Sequence, residues 1–161
     1  MVRLDLTDLV RRETERTASA APAAVRVLSV GGDTPIWVMG DEVRLSEVLR
    51  NLLSNAMRHT KEGSIQTVVE TGLDGRVEVL VHDTGAGISP DDIPNIFERF
   101  YRTDATRAAD TGGAGLGLAI ARRIVEDHAG EVFAQSELGV GSVVGFWLPP
   151  APDVDRAHSD R

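Results

Sequence analysis

Two asparagines stand one helical turn apart in the segment "DEVRLSEVLRNLLSNAMRHT", residues 41–60. The spacing of the leucines predicts a helix here, with Asp41 as its N-cap. The amides of Asn51 and Asn55 therefore point the same way. Helix interiors disfavour asparagine, so the pair indicates a function. An amide oxygen is an uncharged ligand for a hard cation such as Mg²⁺, which accompanies phosphates and needs few protein ligands.

The predicted helix separates an apolar face from a polar stripe. The apolar face is expected to enter the core and comprises Leu45, Val48, Leu49, Leu52, Leu53 and Ala56. The polar stripe beside it comprises Arg44, Glu47, Asn51, Asn55 and Arg58. His59 lies between the two. A merely solvated flank is the alternative interpretation, but two asparagines followed by Arg58 and His59 favour a binding site.

A carboxylate stands at the end of a second element. Residues 76–83, "RVEVLVHD", alternate valines as a strand does and deliver Asp83 to the tight turn "TGAG". Asp83 can accept a hydrogen bond from an exocyclic amine, which adenine carries and guanine lacks at that position. A plain Asp-x-Gly turn is the alternative, and this segment alone does not decide between them.

Glycines precede a third element, "GGAGLGLAIARRIVEDHAG", residues 112–130. A glycine costs about 1 kcal/mol against alanine in a helix interior. Either the backbone bends or approaches something closely here, or the glycines cradle a phosphate at a helix N-terminus. The helix itself is predicted over 116–128, ending at Gly130.

Several classes of protein and site are excluded. The chain has no Gly-Lys pair and therefore no Walker A loop, and Leu118 breaks the dinucleotide fingerprint. The four histidines lack metal-ligand spacing, which argues against zinc. A net charge of -8 argues against nucleic-acid binding. The absence of cysteine, of a signal peptide and of a long apolar run fits a cytosolic domain.

The remaining pattern predicts one α/β domain over 1–149 and a disordered tail over 150–161. Its long connection, 84–115, is predicted to be a binding loop or lid that contains a short helix at about 90–97, begun by Ser89 and Pro90. The other predicted elements are a helix over 5–21, strands at 25–30 and 36–40, and hairpins pairing 64–71 with 76–83 and 131–137 with 141–149.

Four motifs in order resemble bacterial sensor histidine kinases over about residues 4–149. "NLLSNAMRHT" is similar to their N box, "DTGAGI" to the G1 box, "IFERFYR" to the F box and "GGAGLGLAI" to the G2 box. The resemblance implies the two-layer α/β sandwich of gyrase, mismatch-repair ATPases and heat-shock chaperones. In that fold three helices cover one face of a mixed, roughly five-stranded sheet, and ATP lies between helices and lid.

The resemblance also implies residue roles. Asn55 would hold Mg²⁺ with help from Asn51, Arg58 would contact phosphates, and His59 would pack near the nucleotide. Asp83 would bind the adenine amino group, where Gly85 and Gly87 permit close approach. Phe97 and Phe100 would anchor the lid, and Arg99, Arg102 or Arg107 would meet the γ-phosphate. The remaining nucleotide-binding positions implied are Gly113, Gly115, Leu116, Gly117 and Ser142.

No acceptor motif of the "HE-x-x-[TS]-P" kind occurs in the chain. We therefore expect a monomeric catalytic domain that binds Mg-ATP and phosphorylates a histidine on a separate dimerisation domain, upstream of a response regulator. The parent is expected to be a membrane-bound sensor kinase with this domain in the cytoplasm. Asn51 stands where hydrolysing relatives carry a water-activating Glu, which favours transfer over hydrolysis. A serine kinase of the anti-sigma-factor type and a non-catalytic nucleotide-binding module are the alternatives.

Overall fold

A computed structural model describes residues 1–102 and 115–154. Its helices are α1 (Leu6–Ala20), α2 (Glu42–His59) and α3 (Gly117–Asp127), with a short 3-10 helix at Ile93–Asn95. Its strands are β1 (Val2–Asp5), β2 (Val25–Val30), β3 (Trp37–Gly40), β4 (Gly63–Thr71), β5 (Val77–Asp83), β6 (Glu131–Glu137) and β7 (Gly141–Leu148). Within the described part of the chain, no helix combines the length and apolar character needed to cross a bilayer.

Five strands form one mixed sheet in the order β2-β4-β5-β7-β6. β2 runs parallel to β4, and every other neighbouring pair is antiparallel. The three helices cover one face, so the predicted α/β sandwich is confirmed. A separate two-stranded sheet joins β1 to β3. β1 was not predicted, because four residues in front of a strong helix carry too short an alternation to recognise.

The core lies between α2 and the sheet. All six residues of the predicted apolar face of α2 are buried, as are the alternate valines of β5. Because strand side chains alternate between faces, the register that buries Val77, Val79 and Val81 also turns Asp83 toward the helices. The polar stripe of α2 and the carboxylate of β5 thus share one side of the sheet.

The helix ends explain how α2 and α3 are held together. Asp41 caps α2 as predicted, its Oδ1 accepting from the Arg44 N–H at 3.1 Å. His128 follows α3 and accepts the Asp41 N–H on Nε2 at 3.0 Å. The left-handed residue that ends α3 is Ala129, with φ 60°, not Gly130. Gly130 is required for a different reason, because a Cβ there would lie 2.1 Å from a carbonyl oxygen of β7.

Two predictions for the connection after β5 were wrong. The helix expected at about 90–97 is only the 3-10 turn, because Pro94 lacks the N–H that a longer helix would need. Phe97 packs against the core as expected, but Phe100 is 67% exposed. Phe100 adopts φ 63°, and its N–H donates to the Gly115 carbonyl at 3.0 Å. This backbone reversal, which lies just before residues 103–114, directs the Phe100 ring outward.

Candidate functional site

A cross-strand row of side chains lies on the helix-facing side of the sheet, at the end where β5 stops. The register pairs Ile65 with Asp83, Asp83 with Ser142, and Ser142 with Ser136. Ile65, Asp83 and Ser142 are buried, and Ser136 is half-buried. One apolar side chain and three polar ones thus lie side by side, and we refer to this row as the cleft floor.

Asp83 is the charged group of this floor, and it is only 7% exposed. Its Oδ1 accepts the Gly85 N–H at 2.9 Å, and the Ser142 N–H lies near the carboxyl group. Burial raises the pKa of Asp83, while these two N–H groups and nearby His59 oppose the rise. A buried carboxylate with spare acceptor capacity is suited to bind a donor group of a ligand.

The turn after Asp83 is held by backbone contacts on both sides. A Cβ on Gly85 would lie 2.2 Å from the His59 carbonyl oxygen, and one on Gly87 would lie 2.3 Å from the Glu137 carbonyl oxygen. Gly87 also has φ 77°. The Ala86 N–H donates to the His59 carbonyl at 3.2 Å. The local structure is therefore an Asp-x-Gly turn, and this turn also fixes Asp83 beside α2.

Asn51, Asn55 and His59 follow one another at four-residue intervals along α2, and all three are half-buried. They span about 12 Å of the helix axis. His59 lies against the Asp83 turn, whereas Asn51 lies against the start of α3, where a Cβ on Gly117 would be 3.3 Å from Asn51 Oδ1. The polar edge of α2 therefore connects the turn to the beginning of α3.

The Asn51 amide is incompletely paired. Its Nδ2 is buried and has no hydrogen-bond partner among the described residues. A buried, unsatisfied amide nitrogen costs about 1–3 kcal/mol; since an N–H group cannot hold a cation, only Oδ1 of Asn51 could do so. Groups of three or more His, Cys, Asp or Glu suited to a metal are absent from residues 1–102 and 115–154, and the amide oxygens of Asn51 and Asn55 stay the predicted ligands for a hard cation.

The two basic side chains of the last turn of α2 differ in environment. Burial lowers the pKa of His59, the charge of Arg58 lowers it further, and Asp83 opposes both. His59 is therefore favoured in its neutral form, suited to pack against a ligand. Arg58 is exposed, with Nη2 3.5 Å from Ser54 Oγ.

At the start of α3, the backbone at Gly115 requires a glycine. Gly115 has φ 72°, and a Cβ there would lie 2.8 Å from the Tyr101 carbonyl oxygen. Leu116 is the N-cap residue, without a side-chain cap, and Gly117 is the first helical residue. Two predicted positions, Gly113 and Arg107, lie outside the described residues.

The structure separates some residues that the sequence grouped together. Arg44 belongs to the contact between α2 and α3, because its Nη2 lies 2.6 Å from Asp127 Oδ2. Glu47 is exposed on the same stripe. Of the three arginines proposed for the γ-phosphate, Arg99 is exposed and Arg102 half-buried, and neither is singled out by the described contacts.

Two residues that position the site were missed. Ser136 completes the cross-strand row, and Thr84 Oγ1 accepts the Ser64 N–H at 2.9 Å beside the turn. A signal for Ser136 was present, since it continues the inward positions of Val132 and Ala134 as a polar residue in an apolar series. Thr84 had no comparable signal, because its partner is contributed by a neighbouring strand.

Comparison with known proteins gives a consistent result. Residues 40–152 match the family described as "Histidine kinase-, DNA gyrase B-, and HSP90-like ATPase". The chain is 34% identical over 158 residues to the sensor-like histidine kinase SenX3 of Mycolicibacterium smegmatis, which covers 98% of this chain and 41% of that protein. It is 39% identical over 145 residues to the sensor histidine kinase RppB of Synechocystis, covering 89% of this chain and 32% of RppB.

Solved structures agree with these relatives. The mycobacterial sensor histidine kinase MprB superposes with a TM-score of 0.78 at 27% identity, covering 94% of this chain and 98% of that one. Full-length ShkA in complex with AMPPNP gives a TM-score of 0.77 at 32% identity, covering 94% of this chain and 31% of ShkA. The chain thus spans well under half the length of the curated relatives that it matches.

Proposed function

Since the chain belongs to the family of histidine kinase-, DNA gyrase B- and HSP90-like ATPases, we propose that it binds Mg-ATP and donates the γ-phosphate to a histidine. The acceptor histidine would lie on a dimerisation domain outside residues 1–161. The observation that carries the proposal is the buried carboxylate of Asp83, fixed by the Gly85 N–H beside the polar edge of α2.

The base would bind at the floor of the cleft. Asp83 would accept from the adenine amino group, and Gly85 and Gly87 would allow the base to approach a backbone already in contact with its neighbours. Ser142 would complete the floor, and neutral His59 would pack at its side. Since a carbonyl at the same position of the base would meet a carboxylate instead of donating to it, the arrangement favours adenine over guanine.

The phosphates would extend along α2 toward the start of α3. Asn55, with help from Asn51, would hold Mg²⁺ through neutral amide oxygens, the kind of ligand that this cation accepts. Bound there, Mg²⁺ would neutralise charge that develops on the phosphates. Arg58 would contact the phosphates, and the N–H groups around Gly113, Gly115, Leu116 and Gly117 would face them at a helix N-terminus.

Transfer is favoured over hydrolysis because residue 51 is an asparagine. Phosphoryl transfer depends mainly on positioning and charge neutralisation, and an amide cannot act as a base toward water. ATP should therefore persist in the site until an acceptor histidine arrives. The long connection from 84 to 115 would act as the ATP lid, with its base joined by the bond between the Phe100 N–H and the Gly115 carbonyl.

The broader assignments extend to the parent protein. We propose a sensor kinase of a two-component system, anchored in the membrane with this domain in the cytoplasm, whose phosphohistidine then supplies a response regulator. The isolated domain would be monomeric. The names of the relatives, which are sensor or sensor-like histidine kinases, support the sensor-kinase part of this proposal.

Two experiments test the proposal. Calorimetry should show Mg-ATP binding that Asp83→Ala abolishes without loss of the fold; unchanged affinity would overturn the adenine site. The purified chain should also transfer label from γ-labelled ATP to a separate helical hairpin bearing an acceptor histidine, giving an acid-labile phosphate. The same hairpin without that histidine is the control. Acid-stable phosphoserine, or nucleotide binding with no transfer, would contradict the histidine kinase assignment.

A further inference from the structure

The hydroxyl of Ser136 has three partners at the edge of the cleft floor. Its Oγ lies 2.7 Å from the Ile88 nitrogen, 2.8 Å from Ser142 Oγ and 2.9 Å from the Gly141 carbonyl oxygen. A serine hydroxyl has one proton to donate and two lone pairs to accept with. These three contacts therefore use its whole hydrogen-bonding capacity.

The chemistry of the partners fixes the direction of each bond. The Ile88 N–H can only donate, and the Gly141 carbonyl can only accept. Ser136 must then give its one proton to Gly141, so the bond between the two serines has Ser142 as donor. Ser142 therefore donates a hydrogen bond to Ser136, and Ser136 donates one to the Gly141 carbonyl.

This direction determines what Ser142 offers to a ligand. Since its only proton is directed to Ser136, Ser142 Oγ presents lone pairs to the cleft. Its neighbour across the strands, Asp83, also presents acceptors. We propose that Ser136 is a positioning residue that fixes Ser142 as an acceptor, so the floor selects a base that carries a donor at the position of the adenine amino group. This inference rests on the proposed nucleotide site.

Ser136 also has a structural contact, which the test has to separate from base selection. Ile88 is buried, and its bond to Ser136 joins β6 to the segment that follows the Asp83 turn. Losing Ser136 can therefore weaken all ligands through a loosened turn. Loss of the fixed direction of the Ser142–Ser136 hydrogen bond, by contrast, changes the preference between ligands. The freed Ser142 hydroxyl can then rotate and donate to a carbonyl of the base.

The experiment compares ATP with inosine triphosphate, which has a carbonyl in place of the adenine amino group. Calorimetry in Mg²⁺ gives the affinity ratio for the wild type and for Ser136→Ala, Ser142→Ala and the double variant. We expect the preference for ATP to fall about fivefold in Ser136→Ala, as for one neutral hydrogen bond. Ser142→Ala should show a similar fall, and the double variant no further fall.

Two control variants complete the test. Ser136→Thr keeps the hydroxyl and should keep the ratio. Ser89→Ala removes a hydroxyl that accepts only from the local Asp91 N–H, at 3.2 Å among the described contacts, and should also leave the ratio unchanged. Equal weakening of both nucleotides in Ser136→Ala, or an unchanged ratio, would overturn the inference. A wild type that binds neither nucleotide would refute the proposed function instead.

Discussion

The carbonyl oxygen of His59 occupies the space that a side chain at position 85 would need, since a Cβ on Gly85 would lie only 2.2 Å from it. The same carbonyl accepts the Ala86 N–H at 3.2 Å. The last turn of α2 and the turn after β5 are thus joined backbone to backbone. This contact fixes the distance between the polar edge of α2 and the Asp83 carboxylate.

Gly85→Ala should therefore damage both stability and binding. The added methyl has to displace backbone rather than the end of a flexible side chain, so we expect destabilisation of about 2–3 kcal/mol and at least about tenfold weaker ATP binding. Urea unfolding and calorimetry measure the two effects. Gly32→Ala is the matched control, because its nearest neighbour would be 3.9 Å away. Wild-type affinity in Gly85→Ala would show that the contact does not position the site.

The contact between residues 59 and 85 also shows the limit of the sequence analysis. The leucine spacing of α2, its Asp41 cap and the valine alternation of β5 are local patterns, and each predicted its element correctly. Backbone contact between two elements leaves no periodic trace. The glycine at 85 indicated a close approach or a turn, but only the structure shows that His59 is the neighbour.

The remaining errors have similar causes. The resemblance to sensor histidine kinases implied that Phe100 would anchor the lid, but its left-handed backbone directs it outward. Ser136 was missed because its importance depends on Ile88, Ser142 and Gly141, which meet it only when the strands pair. Sequence patterns predict which face a residue occupies; they do not predict how one hydroxyl divides its bonds among three neighbours.

Asp83→Asn should stabilise the protein in a pH-dependent way. Burial raises the pKa of Asp83 in the folded state above its ordinary value of 3.8. The folded protein therefore binds this proton more tightly than the unfolded chain, and stability falls as pH rises through the folded pKa. Asparagine carries no such charge. The variant should unfold at a higher temperature than the wild type at about pH 7, with the difference vanishing as pH falls toward 3.8.

Thermal unfolding of both proteins across this range measures the effect, and each pH is compared between variants. The lowered pKa of His59 acts with the opposite sign, because the folded state loses stability as pH falls through 6.5; this effect is present in both proteins, and loss of the Asp83 charge lowers the pKa of His59 further in the variant. ATP binding should weaken in Asp83→Asn, since one acceptor oxygen becomes an amide donor. A variant that is less stable at neutral pH would contradict the burial argument.

Asn55→Ala should weaken nucleotide binding mainly when Mg²⁺ is present. If the amide holds the metal, Mg-ATP affinity should fall about 10- to 100-fold, while the affinity for ATP in a chelator changes little. Calorimetry with and without Mg²⁺ gives both values. Glu47→Ala, which removes an exposed side chain from the same stripe, should change neither. Equal losses with and without Mg²⁺ would mean that Asn55 contacts the nucleotide and not the metal.

His128→Ala should cost more stability than Arg44→Ala, although only Arg44 takes part in an ion pair. His128 is 5% exposed; its Nδ1 donates to the Ile124 carbonyl at 2.7 Å while Nε2 accepts the Asp41 N–H. The alanine variant removes a buried ring and its bond to the Asp41 N–H, at about 1–3 kcal/mol, while the Ile124 carbonyl still accepts the backbone N–H of residue 128. Arg44 and its partner Asp127 are both partly exposed. Water therefore replaces the contact in Arg44→Ala, and the loss of stability is small. Urea unfolding measures both variants.

The histidine control is His82→Ala, because His82 is half-buried on the face of the sheet opposite the helices. Equal losses of stability in all three variants would refute the joint role of His128 at α2 and α3.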